Sequence, residues 1–407
     1  MLNHIEEKTD ELTYQNMTEE EAYSRAISEM GEADIIGREL NKTHKAAPEW
    51  SILIITILFT FIGLIAMISI VVSGVNTSLD EGYLIKTAVF TLLSYAFLAA
   101  LYFFDYKILE KYAIKIFVGT TFILFLQLFI ALPMHGVRNW LYIGPFSIDM
   151  GEISLFLFGI SLPKLLDEFK GKGVKGRIII LAALFVPTWL YISLSVTMGA
   201  LIYFAMFFML MIILKFKPYF MVIILGLAFL GILWVTNSNT NYFINRLASF
   251  MNIKSDGYMY NQLRTLLKQA GLFGNGFTFP KAAVPSLESD FIFTYIIYTF
   301  GLIAGIIVIA LILSFIGRMF LASKAVKDSY GKLIIQSFMC IFTIEFIWYV
   351  LMTAGLAPIV GITLPFISYG SSKLVIQMIA IGLIMSIYKG KSLSYIEEDM
   401  GKEKIES

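Results

Sequence analysis

Cysteine and histidine are nearly absent from this 407-residue chain, which contains one Cys and three His. The single Cys340 excludes an intramolecular disulfide and a cysteine metal cluster. His4, His44 and His135 lie far apart in the sequence, so neither a histidine metal site nor a Ser-His-Asp triad is expected. Carboxylates, cations and backbone groups are therefore left to carry any chemistry.

Charge is also scarce, because only 15% of the residues are Asp, Glu, Lys or Arg. Apolar residues make up 58% of the chain, aromatic residues 15%, and the mean hydropathy is +0.77. A soluble domain normally contains far more charge, so the composition predicts an integral membrane protein. No basic stripe lies outside the predicted cytoplasmic loops, and nucleic acid is not expected as a partner.

Apolar runs long enough to cross a hydrocarbon core recur along the chain. They predict an all-α polytopic membrane protein with about ten transmembrane helices, of which the fourth is short. The predicted spans are Trp50–Ser73, Tyr83–Phe104, Tyr112–Leu132, Ile153–Leu165, Ile178–Leu194, Met198–Leu214, Tyr219–Val235, Phe291–Ile316, Leu333–Gly355 and Leu364–Tyr388.

Lys and Arg concentrate in alternate loops between these runs, as they do on the cytoplasmic side of membrane proteins. This pattern places both termini in the cytoplasm and requires an even number of spans. A long loop, 237–290, is predicted on the outer side. The basic loops contain Lys107 and Lys111; Lys164, Lys170, Lys172, Lys175 and Arg177; Lys215 and Lys217; Arg318, Lys324, Lys327 and Lys332; and Lys389 and Lys391.

The first 47 residues form a separate acidic module with five Lys or Arg against eleven Asp or Glu, a net charge of −6. Thr18 and Glu21 form a capping box that predicts a helix start. The segment resembles the small helical prefix of some permease-like membrane proteins of Gram-positive bacteria. It is expected to dock on a cytoplasmic partner or on the inner loops, and the alternative is a weakly ordered solvated tail. The domain prediction is therefore 1–47, a membrane domain 48–390 and a cytoplasmic tail 391–407.

The segment Leu356–Ser372 combines membrane-like apolar composition with two prolines, Pro358 and Pro365, around Gly361. Proline and glycine interrupt helical hydrogen bonding there. Irregular backbone is tolerated at membrane depth only inside protein or beside a polar cavity. The segment therefore predicts a functional centre within the helix bundle.

Three outer stretches add polar groups beside apolar helix ends. Arg138 with Trp140 suits a phosphate grip or, alternatively, a snorkelling anchor of the aromatic belt. Glu152 at a helix start either faces a polar cavity or complements the helix dipole. Arg246 lies in a pattern with helical spacing, Tyr242, Phe243, Leu247 and Phe250, which guides a lipid-borne substrate or merely covers the outer face.

Asp290 marks the third stretch, where a polar loop becomes the apolar run Phe291–Ile316. Partial desolvation makes a carboxylate a stronger base, which suits proton abstraction. A helix N-cap is the alternative role for an acid at this position.

Four separated motifs together resemble the SEDS family (shape, elongation, division and sporulation), the family of FtsW, RodA and SpoVE. The likeness extends from about Trp50 to Tyr388. The motifs are Gly355-Leu-Ala-Pro-Ile-Val-Gly-Ile-Thr-Leu-Pro-Phe-Ile-Ser-Tyr-Gly370, Gly257-Tyr258 with Gln262, Gly271-Leu-Phe-Gly274 and Asp290-Phe-Ile-Phe293.

The resemblance implies a SEDS-type fold and an inverting peptidoglycan glycosyltransferase that polymerises lipid II at the outer face of the bacterial cytoplasmic membrane. Asp290 falls at the family's essential aspartate. Lipid II, the undecaprenyl-linked glycan and a class B penicillin-binding protein are the implied partners, and Mg or Mn is the expected cation. The expected substrate-binding residues are Arg138, Trp140, Glu152, Arg246, Gln262, Ser368 and Tyr369, with Pro358, Gly361, Pro365 and Gly370 as structural residues.

Three departures from the family pattern remove polar residues. Ser195–Gly199 replaces Gln-Pro-Asp-Leu-Gly, Gly151–Leu155 lacks the final lysine of Ser-Glu-Leu-Ala-Lys, and Ile297–Thr299 replaces Gly-Glu-Glu. A non-catalytic scaffold for a transpeptidase is therefore an alternative, as is a lipid flippase, although no inverted repeat is found. Lys373, which replaces a small residue after the signature, is the one new cation that can be nominated at the buried boundary, and its expected role is to snorkel to the outer interface.

Overall fold

The computed structural model describes residues 49–74, 81–131, 137–143, 146–222, 224–226, 258–277, 279–280 and 284–390, with residue 250 and single positions in the first 25 residues. The chain divides into two compact units, one containing Met1–Ala47 and Ser392–Ser407 and the other Pro48–Lys391.

Thr18 starts a helical turn in the first unit. Its hydroxyl donates to the Glu21 carboxylate at 2.7 Å, and its carbonyl accepts from the Ala22 N–H at 2.9 Å. These contacts place a helix start at the predicted capping box. The remainder of the predicted prefix pattern lies outside the described residues.

The second unit is a bundle of helices with one short hairpin. Its elements in chain order are α1 (Trp50–Ser73), α2 (Glu81–Phe103), α3 (Lys107–Ile130), β1 (Trp140–Ile143), β2 (Phe146–Asp149), α4 (Met150–Phe169), α5 (Gly173–Ser193), α6 (Thr197–Ile213), α7 (Tyr258–Gln269), α8 (Ile292–Phe300), α9 (Leu302–Ala325), α10 (Ser329–Thr353) and α11 (Ser371–Gly390).

Nine of the ten predicted spans correspond to described helices. Seven of them, α1, α2, α3, α5, α9, α10 and α11, are long and apolar enough to cross a membrane. The seventh predicted span, 219–235, lies largely outside the described residues. The predicted fourth span was too short, because α4 continues through Pro163 to Phe169.

Two predicted spans differ from the helices of the structure. The run Phe291–Ile316 is divided by Gly301 into α8 and α9, and the last span begins at Ser371 instead of Leu364. In both places an apolar run continues through backbone that is not helical. Hydropathy therefore located these two spans and misplaced the boundaries of their helices.

The break at Gly301 is held by the segment 271–276. Gly301 and Gly274 have φ angles of 93° and 80°, which glycine alone adopts readily. The N–H of Leu302 donates to Gly271 O at 3.0 Å, and the N–H of Gly276 donates to Thr299 O at 3.1 Å. A Cβ on either glycine would meet backbone of the facing segment, so the two stretches are in direct main-chain contact.

The hairpin of β1 and β2 was not predicted. Its antiparallel register places Trp140 opposite Asp149, directly before α4 begins. The Asp149 carboxylate accepts from the Glu152 N–H at 3.2 Å and caps α4. The hairpin thus fixes the first turn of α4, which carries Glu152.

Aromatic side chains fill the centre of the bundle between α1, α9 and α10. Phe59 and Phe315 have ring centroids 5.9 Å apart, and Phe315 and Phe342 are 5.6 Å apart. Phe366, from the segment before α11, packs at 5.2 Å from Phe342 and stacks on Phe59 at 6.0 Å. The irregular segment is thereby anchored in the core.

Candidate functional site

The segment 354–370 is not helical, as its prolines predict, and side chains satisfy part of its backbone. The N–H of Ile359 donates to the Tyr260 hydroxyl at 2.9 Å, and the indole of Trp348 donates to Pro358 O at 3.3 Å. Phe366 has φ 63°, a conformation that residues with a side chain rarely adopt. We call residues 354–370 the broken segment.

Asp290 lies in a turn directly before α8 and is half-buried. The helix N-cap is Phe291 and no side chain caps it, so the N-cap interpretation of Asp290 was wrong. The backbone N–H of Asp290 donates to Ser286 O at 2.9 Å, which closes the turn.

Two hydrogen bonds join the broken segment to the turn that carries Asp290. The hydroxyl of Ser368 donates to Ser289 O at 2.7 Å, and the N–H of Tyr369 donates to Glu288 O at 2.8 Å. The structure therefore brings Ser368 and Tyr369, two predicted site residues, against the residues immediately before Asp290.

A buried charged cluster lies at the first turns of α4 and α11. The Lys373 ammonium is 3.4 Å from an Asp149 carboxylate oxygen and 3.5 Å from one of Glu152. Only 14% of the Lys373 side chain is exposed, so the snorkelling interpretation was wrong. The physical reason is that two buried carboxylates stabilise the ammonium inside the protein.

Glu152 is thus paired with a cation although position 155 lacks the family's lysine. Its other oxygen accepts from the Gln377 amide at 2.7 Å. Asp290 and Glu345 also act electrostatically on Lys373. Glu345 is 5% exposed, and its Oε2 has no hydrogen-bond partner in the described part of the chain. The cluster therefore contains more acid than base.

Sequence reasoning nominated Lys373 as an additional cation but assigned it to snorkelling, and it missed Gln377 and Glu345 as members of this site. A signal was present, because Lys373 and Gln377 are four residues apart on one face of an apolar span. Polar groups inside a span usually face the bundle interior or a cavity.

Other predicted residues lie elsewhere. The Arg138 guanidinium donates to Leu128 O at 3.4 Å, and its backbone N–H donates to Leu194 O. Gln262 donates to the Tyr258 hydroxyl of its own helix at 3.0 Å. Trp140 is held in β1 opposite Asp149. Arg246 lies outside the described residues.

The expected Mg or Mn ion finds no suitable set of donors in the described ranges. Among the described residues, no group of three or more His, Cys, Asp or Glu side chains has a geometry that could hold a metal ion. Asp149 and Glu152 could supply carboxylate ligands, but both already pair with the Lys373 ammonium. The ammonium takes the position that a divalent cation would need between them. No catalytic step is therefore assigned to a metal.

The helical fold is shared with known proteins. The model of the FtsW/RodA/SpoVE cell cycle proteins matches residues 49–393. The chain belongs to this family. Its acidic first 47 residues precede the matched region of this FtsW/RodA/SpoVE chain.

Individual relatives match most of the membrane unit. Stage V sporulation protein E of Bacillus subtilis is 25% identical over 364 residues, covering 85% of this chain and 98% of that protein. Peptidoglycan glycosyltransferase MrdB of Escherichia coli is 26% identical over 275 residues, covering 63% and 72%.

One solved structure contains a chain of the same fold. It is described as showing the structural coordination of polymerization and crosslinking by a peptidoglycan synthase complex. It superposes with a TM-score of 0.71 at 18% identity, covering 85% of this chain and 98% of that one. This FtsW/RodA/SpoVE member therefore keeps the family fold despite low identity.

Proposed function

We propose that this chain is a peptidoglycan glycosyltransferase that polymerises lipid II at the outer face of the bacterial cytoplasmic membrane. Family membership and relatives with that name support the activity. The observation that carries the proposal is the placement of Asp290. Its half-buried turn is tied to the broken segment through Ser289 and Glu288, so the carboxylate is held at a defined position.

Asp290 acts in this proposal as the general base. Its carboxylate takes the proton from the acceptor sugar hydroxyl while that oxygen attacks the anomeric carbon of the donor. The new glycosidic bond forms as the bond from the anomeric carbon to phosphate breaks, and undecaprenyl pyrophosphate leaves with the electron pair. Attack opposite the leaving group inverts the configuration. A positioned base typically contributes about 10²- to 10⁴-fold to the rate.

Arginine suits the leaving pyrophosphate, because its guanidinium offers several donors to phosphate oxygens. Arg138 remains the proposed residue, together with Arg246. Arg264 of α7 is a further candidate that sequence analysis missed. It is exposed, and its Nε lies 3.5 Å from the position that a Cβ on Gly355 would occupy, beside the broken segment.

A cleft of about 30 Å³ lies between the broken segment and helices α1 and α2, and Ser368, Tyr369 and Gly370 line one side of it. This volume holds about one water molecule and is much smaller than a sugar. We propose that lipid II separates the two sides of the cleft as it binds.

The decisive experiment incubates purified protein in proteoliposomes with lipid II, alone and with a class B penicillin-binding protein as the proposed partner. The wild type is expected to form glycan strands, and Asp290→Asn is expected to lose at least about 10²-fold in rate. Asp167→Asn is the matched control, because Asp167 is an exposed residue near the end of α4.

A non-catalytic scaffold is the second candidate, and the family polar residues missing at positions 195–199 and 297–299 favour it. A scaffold would bind the penicillin-binding protein and tolerate Asp290→Asn. Full complex formation without glycan synthesis by the wild type would therefore establish the scaffold and overturn the polymerase. Whether the protein serves cell shape, division or sporulation follows from which partner it binds.

A further inference from the structure

One face of α11 contacts the broken segment and α4 at the same time. Lys373 and Gln377 are separated by one helical turn and project on the same side. Gln377 reaches Phe366 and Glu152, and Lys373 reaches Thr363, Asp149 and Glu152. These two side chains therefore connect parts of the chain that are far apart in sequence.

Both the oxygen and the nitrogen of the Gln377 side-chain amide form hydrogen bonds. Its oxygen accepts from the Phe366 N–H at 2.9 Å, and its nitrogen donates to Glu152 at 2.7 Å. Because both ends are engaged, the amide cannot rotate without losing two hydrogen bonds. The first of these bonds supports Phe366 in its left-handed conformation, which a residue with a side chain adopts only when its surroundings impose it.

The Lys373 ammonium has three partners within 3.5 Å. It donates to Thr363 Oγ1 of the broken segment at 3.3 Å and forms ion pairs with Asp149 and Glu152 at the start of α4. A lysine with two carboxylate partners and a side chain that is 14% exposed has little capacity to bind a phosphate. Its position suits holding protein segments together.

A short path leads from these contacts to Asp290. Phe366 is two residues before Ser368, and the Ser368 hydroxyl donates to Ser289 O at 2.7 Å. The Phe366 ring is packed between Phe59, Phe315 and Phe342. Because the ring is held in place, a shift of the Phe366 backbone displaces the next residues of the broken segment.

We infer that Lys373 and Gln377 are positioning residues that hold the broken segment and, through Ser368, set the location of Asp290. They touch neither substrate nor reacting atoms in this scheme. The inference rests on the proposed function for its kinetic consequence, and its structural consequence is measurable without activity.

The kinetic test compares Lys373→Met, Lys373→Arg, Thr363→Val and Gln377→Leu in the lipid II assay. We expect kcat to fall at least tenfold for Lys373→Met and Gln377→Leu and at least threefold for Thr363→Val, with KM for lipid II within twofold of wild type. Lys373→Arg is expected to retain at least half of kcat, because the cation is kept. Thr121→Val of α3, whose hydroxyl bonds only within its own helix, is the matched control.

The structural test is hydrogen–deuterium exchange in the same proteoliposomes. Peptides covering 286–300 are expected to exchange faster in Lys373→Met and Gln377→Leu, while peptides of α3 stay unchanged. If Lys373→Met does not fold, Thr363→Val decides, since it removes one hydroxyl and keeps the charges. The inference would be overturned if Thr363→Val and Gln377→Leu kept the kcat and the exchange rates of the wild type. It would also be overturned if these variants changed KM alone. An inactive wild type would instead refute the proposed polymerase activity. The hydrogen–deuterium exchange comparison would still test whether Lys373 and Gln377 hold the broken segment.

Discussion

The hydroxyl of Ser368 lies 2.7 Å from the carbonyl oxygen of Ser289, the residue directly before Asp290. The same hydroxyl accepts from the Leu364 N–H at 2.9 Å, so its donor and its acceptor are both used. One small side chain thus joins the internal geometry of the broken segment to the turn that presents the carboxylate. The two hydrogen bonds of the hydroxyl, and not only its small size, therefore explain why a serine suits position 368.

Ser368→Ala is expected to lower kcat about tenfold while leaving KM nearly unchanged. The change leaves the Leu364 N–H and one Ser289 lone pair without this partner, at a cost of about 1 kcal/mol or more. Steady-state polymerisation of lipid II measures the effect. Ser323→Ala is the control, because the Ser323 hydroxyl bonds only to Phe320 O within α9. Equal rates for both variants would show that the Ser368 contact is not used.

Gly63→Ala is expected to destabilise the protein by about 1 to 3 kcal/mol through overpacking. A Cβ at Gly63 of α1 would lie 2.5 Å from Ile367 O, which is backbone of the broken segment and cannot move alone. Thermal unfolding in detergent measures the loss. Gly119→Ala in α3 is the matched control, since no atom lies within 4 Å of its added Cβ. Alanine is the better helix former, so this control is expected to be neutral or slightly stabilising.

Tyr260→Phe is expected to loosen the broken segment from α7. The Tyr260 hydroxyl accepts from the buried Ile359 N–H at 2.9 Å, and an unsatisfied buried donor costs about 1 to 3 kcal/mol. Limited proteolysis and thermal unfolding should both report the change. Tyr258→Phe serves as the control, because Tyr258 is mostly exposed and bonds only to Gln262 among the contacts described. A Tyr260 variant as stable as the control would contradict the assigned contact.

Much of the fold could be predicted from residue type alone. Nine long apolar runs coincide with described helices of the bundle, since crossing a membrane requires a length and composition that few other structures share. The ends of the helices were less predictable. The runs before Pro365 and across Gly301 stay apolar while their backbone leaves the helix, so hydropathy carries no information about the break.

The candidate site was only partly predictable. Pro358 and Pro365 predicted irregular backbone, and Asp290 and Glu152 were selected because acids at apolar helix ends are unusual. Lys373 was misinterpreted for a physical reason. Its neighbours Asp149 and Glu152 are more than 200 residues away in sequence, and nothing local shows that two carboxylates face it across the bundle. The hairpin of β1 and β2 was missed because four-residue strands leave only a weak pattern.

The main-chain contact between 271–276 and the break at Gly301 decides where a topology reporter can be placed. An epitope inserted in that stretch would push apart two backbones and displace the break between α8 and α9. A single cysteine is gentler, and Phe273 suits it because its side chain is 82% exposed. Replacing Cys340 by alanine leaves no native thiol. Labelling Phe273→Cys in intact cells with a membrane-impermeant maleimide would then show on which side of the bilayer the segment 271–276 and the break at Gly301 lie.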